Sequence, residues 1–123
     1  KTYIVEHIIG MLRKADVRLP GIADRRDVYA IYVQGSAQEP RFSSGDILYV
    51  DPRRPPANGD DVLVYLAGDD TAGGRPALVK TLNRRDADSV ELLQYLPMMP
   101  LQIPASMITE IHRVIPWNEI AGV

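Results

Sequence analysis

Apolar residues fall along this chain in short blocks separated by turn-forming residues. Residues 28–33 read Val-Tyr-Ala-Ile-Tyr-Val, β-branched and aromatic with large and small positions alternating. Residues 47–50 (Ile-Leu-Tyr-Val) follow the turn signal Ser-Ser-Gly-Asp, and residues 62–66 (Val-Leu-Val-Tyr-Leu) follow Asn-Gly-Asp-Asp. Residues 77–82, 90–95 and 108–115 repeat the pattern after their own Gly-, Asp- and Ser-rich stretches. Blocks of this length with such spacing predict an antiparallel, mainly β domain. Residues 4–12 place apolar side chains at 4, 5, 8, 9, 11 and 12, which fits a helical period. Gly10 and the β-branched content equally fit an extended N-terminal arm. Pro52, Pro55 and Pro56 exclude a central strand and mark residues 51–58 as a loop. Met98 and Met99, between Pro97 and Pro100, read as an apolar patch on a turn.

Composition narrows the chemistry. The chain has 123 residues, enough for one domain with its own core. It has no cysteine, which removes disulfides, thiolate metal sites and a cysteine nucleophile. His7 and His112 stand far apart with no partner at ligand spacing, and neither Asp60-Asp61 nor Asp69-Asp70 is followed by further oxygen ligands, so no metal or cofactor is expected. Fourteen Lys and Arg against sixteen Asp and Glu give a net charge of −2, unlike a basic nucleic-acid reader. The basic doublets Arg25-Arg26, Arg53-Arg54 and Arg84-Arg85 have aspartates close by, so their charge is locally balanced. No apolar run reaches membrane-spanning length and no leader opens the chain. The first residue is Lys1, as in a fragment. The strand tyrosines read as core or interface, and Trp117, next to Pro116 after the last block, as an interface residue.

One stretch is more specific. It runs Val33-Gln-Gly-Ser-Ala-Gln-Glu-Pro40, then Gly45-Asp46 and Val50-Asp51, with Val79-Lys-Thr-Leu82 on a later strand and Ile111-His-Arg-Val-Ile115 at the close. In this order the pieces resemble the LexA-like serine peptidase family. That family comprises the C-terminal halves of LexA and lambda-type phage repressors, and the UmuD mutagenesis protein. The resemblance covers residues 18–115. It implies a fold of short, twisted antiparallel sheets, with residues 1–17 as an arm or linker and residues 18–123 as the peptidase and dimerisation domain.

It further implies a Ser–Lys dyad that cuts an upstream loop of the same chain. A serine hydroxyl is a poor nucleophile until a base removes its proton. A lysine serves as that base only when uncharged, a state that burial in an apolar strand favours. Lys80 stands at the base position, although its local sequence alone reads as a surface lysine on an edge strand. With Gly35 and Pro40 aligned to the family motif, Ser36 falls before the nucleophile, Ala37 on it and Gln38 on the usual methionine. The attacking hydroxyl is therefore missing. Ser36 does not replace it, because one step along an extended segment turns the side chain to the other face. Ala37 is either an engineered change or a natural loss.

The family's scissile Ala-Gly or Cys-Gly is absent between Lys1 and Ser36, and Ala121-Gly122 lies at the wrong end. The expected function is thus the self-association half of a phage- or SOS-type repressor, dead for cleavage as it stands. Expected partners are a second copy and, from the family, activated RecA. DNA would be met only through a helix-turn-helix domain that these residues lack, with no membrane contact and a bacterial cytoplasmic setting. Ile108, Ile111, Arg113, Ile115 and Trp117 are the expected dimer interface. The alternatives are an active autopeptidase with serine at 37, and a UmuD-like polymerase accessory subunit.

Overall fold

The computed structural model describes residues 6–7, 11–12, 19–22, 24–25, 27–33, 35, 38–67 and 76–122. Its strands are β1 (Glu6–His7), β2 (Met11–Leu12), β3 (Tyr29–Tyr32), β4 (Ile47–Asp51), β5 (Asp61–Leu66), β6 (Pro76–Arg85), β7 (Ser89–Tyr95), β8 (Met98–Pro104) and β9 (Ile108–Val114). A 3-10 turn (Ala105–Met107) joins β8 to β9, and a single helical turn, α1 (Trp117–Ile120), follows β9. The expected mainly β, antiparallel architecture is what forms. The strands join one nine-stranded sheet in the order β2-β3-β4-β9-β5-β6-β7-β8, with β1 paired to β6.

The six blocks predicted as strands become β3 to β7 and β9, each within a few residues of its expected bounds. Within residues 4–12 the described pieces are extended. Glu6 and His7 pair with Ala77 and Pro76, and Met11 and Leu12 pair with Ile31 and Ala30. The arm reading therefore holds there against the helical one, because backbone groups at β6 and β3 complete their ladders with this segment.

Residues 98–104 correct the turn reading of Met98-Met99: they form β8, paired with β7 from Tyr95↔Met98 to Ser89↔Pro104. Prolines discouraged a strand there, but β8 is the outermost strand, where a proline sacrifices no ladder bond if its nitrogen faces outward. Pro100 and Pro104 are four residues apart and so face the same side. They remove two donors from the exposed edge and protect it from pairing with other chains.

The sheet has an apolar face on each side, and β5 is buried on both. Leu63 and Tyr65 pack with Ile31, Val50, Val79 and Val114 in one cluster. Val62, Val64 and Leu66 pack with Leu78, Leu82, Leu92 and Ile103 in the other. Each fully buried large apolar side chain contributes about 1.5–3 kcal/mol, so these two clusters carry the fold. A third cluster of Ile22, Val28, Ile115 and Ile120 fastens the C-terminal turn. There Gly21 N donates to Ile120 O at 2.8 Å. A Cβ on Gly21 would sit 1.6 Å from Glu119 O, so only glycine fits.

Candidate functional site

The motif loop starts where β3 ends. Val33 is buried and joins the loop to the strand beginning at β4: Val33 N donates to Asp46 O at 2.9 Å, and Gly45 N to Val33 O at 2.8 Å. Gly35 and Gly45 adopt φ of +81° and +93°, the left-handed conformation that favours glycine and reverses the chain at both ends of the loop. Ser36 and Ala37 lie outside the described residues. After them the chain makes a tight turn, with Phe42 N donating to Gln38 O and Ser43 Oγ to Glu39 Oε1. The Glu39–Pro40 peptide is cis.

Gln38 is 3% exposed, and neither Oε1 nor Nε2 has a hydrogen-bond partner among the described residues. An apolar methionine would carry no such burden, since a buried polar atom without a partner costs about 1–3 kcal/mol. Pro40 and Asp46 are exposed, and Asp46 Oδ2 caps the loop by accepting from Ser43 N at 2.8 Å.

Lys80 is wholly buried. This overturns the edge-strand reading of its local sequence. β6 lies inside the sheet, between β5 and β7, and Lys80 stands opposite Val62 of β5. By strand alternation its side chain shares a face with Leu78 and Leu82, both members of an apolar cluster. Thr81, the next residue, points to the other face, where its hydroxyl donates to Asp61 Oδ1 at 2.8 Å and meets Tyr95 OH at 2.9 Å. Asp61 in turn accepts Arg41 Nε at 2.8 Å, so side-chain bonds tie the motif turn to the strands beside Lys80.

Of the five expected interface residues, two are turned inward. Arg113 is 5% exposed and donates to Glu119 at 2.9 and 2.7 Å and to Asp60 at 3.1 Å. Ile115 is buried in the C-terminal cluster. Neither presents a surface to a partner. Ile108 and Ile111 are half-buried, and Trp117 is 69% exposed.

The carboxylates around this end are held ionised. The Arg113 guanidinium keeps Glu119 below the usual carboxylate range. Arg25 pushes Asp27 down to about 2. Burial works against ionisation of Asp51, but hydrogen bonds from Arg25 and from the backbone N–H groups of Arg53 and Arg54 outweigh it, and its pKa falls. Sequence reasoning missed these networks because their members are far apart in the chain. Only the tertiary fold brings Asp51 to Arg25, or Asp60 to Arg113.

It also missed a hydroxyl–imidazole chain across the sheet. Tyr29 OH lies 2.9 Å from Tyr65 OH and 2.6 Å from His112 Nδ1. β3 and β5 are not neighbours in strand order, so this contact marks the curl of the sheet. No group of three metal-ligating side chains converges among the described residues.

The sequence has known relatives. The sequence matches the Peptidase S24-like family over residues 2–114. The chain belongs to that family. It is also 30% identical over 98 residues to repressor protein C of Rhizobium phage 16-3, a match that covers 78% of this chain. The matched stretch spans 37% of that relative's length. No solved structure matches the chain significantly. Within this Peptidase S24-like domain Lys80 is fully enclosed, and position 37 is alanine. No helix among the described residues is long and apolar enough to cross a membrane.

Proposed function

We propose that this domain is the self-association half of a phage-type transcriptional repressor, with the family's Ser–Lys self-cleavage silenced at Ala37. Its family membership and its likeness to a phage repressor support the reading. The observation that carries the catalytic part is the complete burial of Lys80 on an internal strand. Enclosure disfavours an ammonium and suits a base that must be neutral to act. In a serine-bearing version, the Lys80 amine takes the hydroxyl proton as the oxygen attacks the peptide carbonyl, and later returns it to the leaving amine. Without a hydroxyl at 37 there is no attack, and loss of a nucleophile removes nearly all chemistry of such a unit.

A two-fold operator requires a symmetric pair of readers. The domain supplies the pairing and a separate helix-turn-helix domain supplies the reading. Trp117, with the half-buried Ile108 and Ile111, is the proposed contact face. Sedimentation of the 123-residue chain should show a dimer that Trp117→Ala weakens, and a monomer at high concentration would refute the assignment.

A second reading, a peptidase disabled by one substitution, is favoured by the retained enclosure of Lys80. Ala37→Ser in the native gene's full product, incubated at alkaline pH or with activated RecA, should then release a fragment. Lys80→Met in the same background should abolish that release. If the restored serine yields no cleavage, the site has diverged further than one hydroxyl. The sequence that precedes this stretch in the native gene separates a repressor, with a helix-turn-helix domain, from a UmuD-like accessory subunit with a short arm.

A further inference from the structure

β4 is paired to β3 over its first four residues, Ile47 to Val50, and to β9 only toward its other end. Toward β3 it is paired from Tyr29↔Val50 to Tyr32↔Ile47. Toward β9 the paired residues are Val50↔Val114 and Asp51↔Arg113, and Ile115 N adds a last rung to Tyr49 O at 2.8 Å. Pro116 then turns the chain into α1, away from the sheet.

The backbone N–H and C=O of a strand residue point to the same side, and consecutive residues alternate. Asp46 O meets Val33 on the β3 side, and Tyr49 O meets Ile115 on the β9 side. Ile47 shares the side of Tyr49, so its N–H and C=O face the place that β9 vacates. No backbone hydrogen bond closes on them there among the described residues.

That place is a groove of about 580 Å³, whose walls include Phe42, Ile47, Tyr49, Pro116 and Trp117. Ile47 is 46% exposed and Trp117 69%. An unpaired strand edge with an apolar wall is the arrangement that accepts an added strand, where main-chain bonds supply affinity and side-chain pockets supply selectivity. The charges at the groove are Arg41, Asp46, Asp60 and Asp61. Asp61 takes Arg41, and Asp60 takes Arg113. Asp46 accepts only the backbone N–H of Ser43 among the described residues, so the mouth keeps an uncompensated carboxylate.

We propose that this groove binds an extended peptide that pairs with β4 at Ile47 and carries an apolar residue flanked by lysine or arginine. The apolar residue lies against Trp117 and Ile47, and the basic residue meets Asp46. The inference stands on the sheet edge; Trp117 is also in the proposed dimer contact, so the peptide competes with the second copy and should shift the domain toward monomer.

The test is NMR titration of the isotope-labelled 123-residue protein with a short capped peptide alternating valine and lysine. Saturable shifts are expected at the Ile47 amide and the Trp117 indole. Asp46→Asn keeps the acceptor for Ser43 N, so the loop survives, and it should weaken binding by about tenfold. The same peptide with valine and glutamate should not bind. N-methylation of alternate peptide amides should abolish binding in one phase and spare it in the other, which a purely apolar contact would not do. Absence of saturable shifts overturns the proposal, as does equal binding of both methylated peptides. Groove signals that move with protein concentration alone, and that the peptide does not displace, assign the groove to a second copy and also overturn it.

Discussion

Lys80 and Arg113 are the buried cations among the described residues, and their surroundings differ. Arg113 is held by carboxylates on either side, Glu119 on the terminal turn and Asp60 on the loop before β5. Lys80 stands opposite Val62 and between Leu78 and Leu82 on one face of the sheet, all of them in the apolar core. The guanidinium presents a fork that two carboxylates can match, so it locks the end of the chain to the sheet. A lysine ammonium is a compact point charge without that fork, and its protonation responds more readily to burial. The first arrangement fastens the end of the chain, and the second encloses a cation on an internal strand.

The largest losses of stability are expected at the terminal turn. Gly21→Ala drives a Cβ into the Glu119 carbonyl and should cost more than about 3 kcal/mol, read by chemical denaturation. A variant of native stability would show that the turn does not dock as described. Arg113→Leu should cost about 2 kcal/mol, because Glu119 and Asp60 lose their shared partner. Arg113→Lys should recover only part of that loss.

Lys80→Met is expected to cost less than Arg113→Leu, since an apolar side chain of similar volume fits the face that Leu78 and Leu82 share with it. Should Lys80→Met destabilise more than Arg113→Leu, the lysine is architectural after all.

Acid should separate the two regions more gently. Glu119, Asp27 and Asp51 have folded pKa values below their unfolded ones. Their stabilisation is present above the unfolded carboxylate range, near pH 4, and is lost as pH falls through the folded values toward pH 2. Unfolding midpoints should therefore drop between about pH 5 and pH 2. Glu119→Gln should flatten that slope slightly, with the effect kept small by the partial exposure of the pair.

The strands were legible in the sequence wherever apolar blocks met turn residues. β7 shows how far this goes: its buried positions alternate without a break, and Ser89 to Leu92 alternate with them, but the buried Gln94 between Leu93 and Tyr95 does not. β8 was not legible, because its edge position neutralises the cost of Pro100 and Pro104, and edge position is a property of the assembled sheet. The motif loop was legible as a pattern of Gly35, Pro40, Gly45 and Asp46. The enclosure of Lys80 was not, because burial depends on which strands flank β6. Arg113 and Ile115 were misplaced for a related reason: the end of β9 inclines inward against α1, and nothing in its local periodicity says so.

Residue order alone determined a cysteine-free, mainly β domain, its strand-forming blocks and an alanine at position 37. These follow from local backbone preference and side-chain identity, which need no distant partner. The tertiary structure alone decided that Lys80 is buried, that Arg113 is a clamp, and that β4 keeps an open edge beside Trp117. Each of those depends on strand order and on where β9 stops, and strand order is set by packing between residues far apart in the chain.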